Sequence, residues 1–187
     1  MLAMASCTDN FDETNTNPNK ITVSSGKLEA SAMFEQTLYG SANFFTYYSW
    51  FWCDELIQHT AHTGGTTRQE HRYFIGDQNW KALWNTYLRY ASNDVNMIKL
   101  AEAQGASYLQ AVGLTMKVLF MSNLTDIYGD IPYKEGFMAE EGIKQPVFDS
   151  QENVYQQMCA ELEEANRIYA SKPYVEEKNR KLDGMYN

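Results

Sequence analysis

The stretch Leu124-Thr-Asp-Ile-Tyr-Gly-Asp-Ile-Pro-Tyr133 decides the fold. It follows the most apolar run of the chain, Ala106 to Met121. A run that is apolar nearly all round is expected of a helix buried on every side. The next residues must then end that helix and turn the chain. Gly129 can take a positive φ at the helix end. Asp126 and Asp130 can accept hydrogen bonds from turn amides. Pro132 fixes an extended exit and pushes Ile131 toward β or polyproline geometry. Ile127, Tyr128, Ile131 and Tyr133 are left to pack back on the helices. The expectation is a non-helical passage from Leu124 to Pro146, because Gly129, Pro132, Gly136, Gly142 and Pro146 all disfavour a helix interior. Chemically, the stretch is architectural.

Outward from it, the chain is helical in both directions. Trp80, Trp84, Leu88, Ala91, Val95 and Ile98 recur in steps of three or four, which predicts an amphipathic helix from Asp77 to about Ala103. Gly105 separates this helix from Ala106 to Met121, so the two form an antiparallel hairpin. Downstream, Asp149 or Ser150 caps a further helix whose stripe is Val154, Met158, Leu162, Ala165 and Ile168. Upstream, Ser24 or Ser25 precedes a helical run from Leu28 whose apolar faces continue through Trp50, Phe51, Trp52, Leu56 and Ile57, with Gly40 as a weak point. Thr60 to Gly76 has the composition of a loop. The fold class is mainly α, built of helical hairpins with long irregular loops. A tetratricopeptide-like arrangement is suggested, although no regular repeat of about 34 residues can be counted.

Three divisions follow: residues 1–22 as an extended polar tether, 23–172 as the helical domain and 173–187 as a polar tail. At 187 residues the chain is long enough for one domain with a sizeable core. Its net charge of -9 argues against nucleic acid as a partner, since that binding needs a basic footprint. Thirteen Tyr, nine Phe and four Trp suit either packing between helices or stacking on neutral ligands such as sugars. Cys53 and Cys159 lie in apolar stretches and are expected to be small buried hydrophobes. Ala5-Ser6-Cys7 resembles the end of a bacterial lipobox, with Met4 where Leu is usual and too few residues before it for a complete signal. Cys7 is the candidate lipidation site, and the Asn-rich run after it is the candidate tether.

No G-x-S-x-G, P-loop, dinucleotide fingerprint or CxxC pair occurs, so catalysis and a bound cofactor are not expected. Glu55, His59 and His62 have the spacing of one helical face but lack a further strong ligand, so no metal is expected. Glu161, Glu163 and Glu164 are most simply a solvated helix face. The densest aromatic cluster is Tyr47, Tyr48, Trp50, Phe51 and Trp52. On a helix Trp50 and Trp52 diverge by about 200°, so at most one can serve a given face. A carbohydrate platform there would take its polar part from Asp54, Gln58 and Arg68, with Tyr73 as a weaker member. Core packing explains the same residues without a ligand.

The segment Asn123 to Phe137, with its D-x-Y-G-D-x-P-Y core, resembles a hallmark of the SusD/RagB-like outer-membrane nutrient-binding lipoproteins. Asp126, Tyr128, Gly129, Asp130, Pro132 and Tyr133 carry the resemblance. The apolar run before it, the helix beginning near Phe148-Asp149 and the entry Asn15-Thr-Asn-Pro-Asn19 are similar to the same family. The resemblance implies a SusD-like fold, anchorage to the outer membrane through a lipid, and no enzymatic activity. It implies capture of an oligosaccharide or peptide ligand and its delivery to a SusC-like TonB-dependent transporter. Family members are more than twice this length, so the chain is expected to be the N-terminal portion of a longer protein. The competing expectation is a truncated helical scaffold that contacts the transporter without a competent ligand site.

Overall fold

The computed structural model describes residues 15, 28–48, 52–63, 70–74, 76–171 and 173. Four long helices carry it: α1 (Ala30–Tyr48), α2 (Asp77–Ala103), α3 (Ser107–Tyr128) and α4 (Gln151–Ala170). Each packs on the next, and α1 also touches α3. The described residues contain no strand, and one isolated antiparallel bridge joins Ile131 to Asp149. The mainly α class is therefore correct. Cys7, Ser24, Ser25, Trp50 and Arg68 lie outside the described residues, as do the tether except residue 15 and the tail except residue 173.

The α2–α3 hairpin turns at Gly105, as the sequence predicts. Ala106 N–H donates to Ala101 O at 2.8 Å and Gly105 N–H to Glu102 O at 3.1 Å. This paired closure satisfies the last carbonyls of α2, which would otherwise be left open. Gly40 does not interrupt α1. A side chain there would meet the Tyr90 hydroxyl at 2.6 Å, so the residue permits close approach of α1 and α2.

The core is aromatic at its centre. Phe120 is fully buried, with Phe45 stacked on it at 5.7 Å and Tyr90 at 5.4 Å. Around it lie Leu83, Tyr87, Ala91, Met121, Leu124, Ile131, Val154 and Met158. A second cluster of Ala30, Met97, Leu100, Ala101 and Leu109 closes the hairpin end. Burying each large aliphatic or aromatic side chain contributes about 1.5–3 kcal/mol.

Several expectations need correction. The deepest stripe of α2 is Leu83, Tyr87, Ala91, Met97 and Ala101, offset from the predicted one. Packing against both α1 and α3 rotates the buried sector, and Trp80 is left partly exposed. Helix α3 does not end near Met121. It continues through Leu124, Thr125, Asp126, Ile127 and Tyr128, and the turn comes at Gly129 with φ 76°. Leu124 and Thr125 are fully buried, so packing carries the helix past the predicted boundary. Cys53 and Cys159 are exposed rather than buried. Leu162 is exposed at the edge of the α4 stripe.

Glu161 is not simply solvated. Its carboxylate accepts from Lys117 Nζ at 2.6 Å and from the Tyr133 hydroxyl at 2.7 Å. Lys117 also lies 4.4 Å from the centre of the Tyr133 ring. This arrangement lets α3 carry a lysine whose side chain is only 11% exposed, because an unpaired cation there would be costly. Burial first, and then the Glu161 charge, hold the Tyr133 hydroxyl well above its ordinary pKa.

Asp94 in α2 is 0% exposed, and among the described residues neither carboxylate oxygen has a hydrogen-bond partner. Burial raises its pKa from 3.8 to about 8. Between these values the unfolded chain carries the carboxylate while the fold keeps the acid, so unfolding releases a proton. Stability therefore falls as pH rises from about 4 to about 8, by up to ~1.4 kcal/mol per pH unit. Urea unfolding at pH 5 and pH 8 should show this loss in the wild type and a much smaller one in Asp94→Asn. Equal losses in the two proteins would contradict the assignment.

Candidate functional site

The face of α2 beside its buried stripe carries Trp84, Asn85, Leu88, Arg89, Ser92, Asn96 and Lys99, spaced by one, three or four residues. The connection between α3 and α4 folds over this face. Pro132, Gly136, Phe137, Ala139, Glu140, Pro146 and Phe148 form the opposite wall of a groove of about 650 Å3. Aromatic and proline surface lies beside two amides, a hydroxyl, a guanidinium and an ammonium. A concave site with apolar walls and a few placed polar groups is the general form of a small-ligand site.

The decisive stretch holds this wall in place. Ile131 pairs with Asp149 through both backbone bonds, Ile131 N–H to Asp149 O at 3.2 Å and Asp149 N–H to Ile131 O at 2.9 Å. The Asp149 carboxylate accepts from the amides of Tyr133 at 3.1 Å and Lys134 at 2.8 Å. In return, Asp130 accepts from the Gln151 amide at 3.0 Å, at the first residue of α4. Ser150 is the N-cap of α4, accepting from Asn153 N–H at 3.4 Å. Gln151 Nε2 donates to Thr125 O at 2.8 Å, and Thr125 Oγ1 donates to Gly129 O at 2.6 Å. The end of α3 and the start of α4 are thus bound to each other by exchanged polar contacts.

Within the connection, Val147 N–H donates to Glu135 Oε2 at 3.1 Å and closes the neck of the loop. Gly136 passes so near Pro132 that an added Cβ would lie 2.1 Å from the Pro132 carbonyl oxygen, and no other residue fits without moving the backbone. At the far end, Lys99 Nζ reaches Glu141 Oε1 at 3.2 Å and ties the loop to α2.

The motif residues divide by role. Gly129 turns the chain with a φ of 76°, as expected, and Pro132 follows the bridged Ile131. Asp130 does accept from an amide, but from that of Gln151 at the start of α4 rather than from one in its own turn. Asp126 does not, because it lies within α3. Its carboxylate accepts from the Tyr155 hydroxyl of α4 instead, which raises the tyrosine pKa. Tyr128 donates its hydroxyl to Trp80 O. Its ring sits edge-on to Trp80 at 6.2 Å and to Trp84 at 5.0 Å. Trp84 in turn stacks on Phe148, 6.0 Å away at 11°, and Phe148 is 57% exposed. Tyr128 therefore backs the aromatic wall of the groove.

The predicted aromatic platform is arranged differently. Trp52 is 5% exposed, edge-on to Tyr48 at 5.0 Å and to Trp80 at 6.1 Å. It is a core residue joined to the groove wall through the Trp80–Tyr128–Trp84 contacts. Asp54 opens a single helical turn, Asp54–Leu56, which packs on the short 3-10 turn Glu70–Arg72. Gln58 and Tyr73 both have left-handed backbones, at φ 59° and 60°, and Tyr73 is 67% exposed. Such conformations are costly for residues with a side chain. The turn ends before His59, so Glu55, His59 and His62 do not share a helical face. Glu55 is buried and 3.7 Å from His71 Nδ1. Among the described residues no cluster of His, Cys, Asp and Glu can hold a metal.

Sequence reasoning missed Asn85, Arg89, Ser92, Asn96 and Phe148. The first four were legible as a polar stripe at helical spacing. The covering loop was not, because it depends on contacts between residues fifteen or more positions apart.

The described residues form a mainly α fold, and the groove beside α2 has the general form of a small-ligand site. A family model described as "Starch-binding associating with outer membrane", SusD-like, matches residues 18–187. The chain belongs to this SusD-like family, whose members are binding proteins rather than enzymes. No curated protein and no solved structure matches it. No described helix is long and apolar enough to cross a membrane.

The polar exchange at Asp149 yields a direct prediction. Asp149→Ala should cost about 2 kcal/mol, the scale of lost hydrogen bonds to a charged acceptor. It should also speed hydrogen exchange at the Tyr133 and Lys134 amides while leaving the α2–α3 hairpin protected. Unchanged exchange at those two amides would contradict the assigned role.

Proposed function

We propose that this chain is the ligand-capturing part of a cell-surface lipoprotein, anchored in the outer membrane through an acylated Cys7. It captures glycan and delivers it to a SusC-type TonB-dependent transporter. The observation that carries this reading is the groove between α2 and the connection between α3 and α4. Sugar rings present flat C–H faces and a rim of hydroxyls. Trp84 and Phe148 offer a surface for the faces, while Asn85, Ser92 and Asn96 offer donors and acceptors for the rim. The family's description as starch-binding and associated with the outer membrane supports both the ligand class and the location. Asp54, Gln58 and Tyr73 remain a second proposed contact region for the same ligand, and Trp50 and Arg68 are proposed to contact that ligand as well.

A scaffold that contacts the transporter without capturing ligand is the competing reading. Its support is the exposed apolar side chains of Ile57, Tyr73 and Phe74, with Tyr73 itself and Gln58 holding left-handed backbones. Calorimetry with soluble starch and short α-glucans separates the two. Glycan capture predicts measurable binding that weakens about tenfold in Trp84→Ala and in Phe148→Ala, the scale of one lost aromatic contact. Failure to bind any glycan or peptide, with co-purification of a large β-barrel, would overturn capture in favour of the scaffold. Cys7→Ser should release the protein from membranes and abolish labelling by a fatty-acid analogue. Persistent labelling would rule out Cys7 as the anchor.

A further inference from the structure

Building on the groove as the glycan site, we propose that its ligand is an acidic saccharide bearing a carboxylate, and that Arg89 is the residue that recognises the charge. Two cations line the groove, and they are not equivalent. Lys99 is committed to Glu141 at 3.2 Å, a contact that ties the loop to α2. Arg89 has no acidic partner among the described residues. Its guanidinium instead lies 5.3 Å from the centre of the Tyr90 ring.

That contact restrains the arginine without using its edge, so the N–H donors stay available. A guanidinium edge matches a carboxylate with two parallel hydrogen bonds, a geometry that an ammonium cannot reproduce. Restraint on Tyr90 also lowers the ordering cost of binding.

Charge balance makes this position unusual. The chain has 24 acidic and 15 basic residues, so most of its surface repels an anion. The described lining contains a single acid, Glu140, on the wall opposite α2. An unpaired arginine between amides is therefore a local reversal of the overall charge. Asn85 lies one helical turn before it, and Ser92 lies one turn after it, with Asn96 beyond. From Asn85 to Asn96 the helix extends about 16 Å. That length suits several linked sugar rings with the carboxylate near the middle, rather than a single sugar. A neutral glucan would use the aromatic wall and the amides but leave Arg89 unanswered.

The test compares a galacturonate oligosaccharide with the same oligosaccharide after its carboxyls are reduced to primary alcohols. Binding to the intact chain is measured by calorimetry at low and high salt. The acidic form should bind on the order of tenfold more tightly at low salt, with the difference shrinking as salt screens the pair. Arg89→Gln should abolish the difference, Arg89→Lys should keep part of it, and Glu140→Gln should enlarge it. Arg89 and Glu140 are exposed, so these variants should keep the wild-type circular dichroism. Equal binding of the two forms by the wild type, weakened in both by Phe148→Ala, overturns the acidic ligand while leaving glycan capture standing. A preference that survives in Arg89→Gln overturns the role of Arg89. Absence of binding by either form overturns the proposal. Binding of neutral α-glucans then decides whether the glycan reading falls with it.

Discussion

The structure depends on the two-way contact between the residues after α3 and those before α4. Asp149 accepts two amides from the Tyr133–Lys134 turn, Asp130 accepts the first amide of α4, and Ile131 and Asp149 pair through their backbones. Ile131 is fully buried at the centre of this arrangement, so the polar exchange is anchored to the core. Backbone groups that leave a helix must find partners, and here each end of the connection supplies them to the other. The connection between two packed helices therefore becomes a fixed wall rather than a mobile surface loop.

From that constraint the groove follows. With Asp149 fixed, its neighbour Phe148 is held against Trp84, and Pro132 and Gly136 are held above α2. Tyr128, immediately before the turn, backs Trp84 and bonds to the α2 backbone at Trp80. The motif that looked purely architectural touches the groove without supplying its polar specificity. It presents a wall, and the polar face of α2 supplies the recognition chemistry.

Much of this was legible in the sequence. The span of α2, the turn at Gly105, the start of α4 near Ser150 and the turning role of Gly129 and Pro132 follow from local periodicity and backbone preference. What was not legible depended on distant contacts. Glycine and proline marked a helix break, but burial of Leu124 and Thr125 extended α3 to Tyr128. Local spacing left Glu161 facing solvent, whereas Lys117 and Tyr133 arrive from another helix and from the connection. The Trp52 region drew attention because its aromatics are adjacent in sequence. In the structure Trp52 is core, and the exposed stack is Trp84 with Phe148, residues 64 positions apart.

Hydrogen exchange of the whole chain with and without a bound oligosaccharide reports directly on whether the connection and α2 form the ligand site. If the fixed connection and α2 form the ligand site, the ligand should slow exchange in residues 132–148 and in residues 84–99 of α2. It should leave the segment around Asp54 to Tyr73 much less changed. Protection confined to Asp54–Tyr73, with residues 132–148 unaffected, would contradict the account.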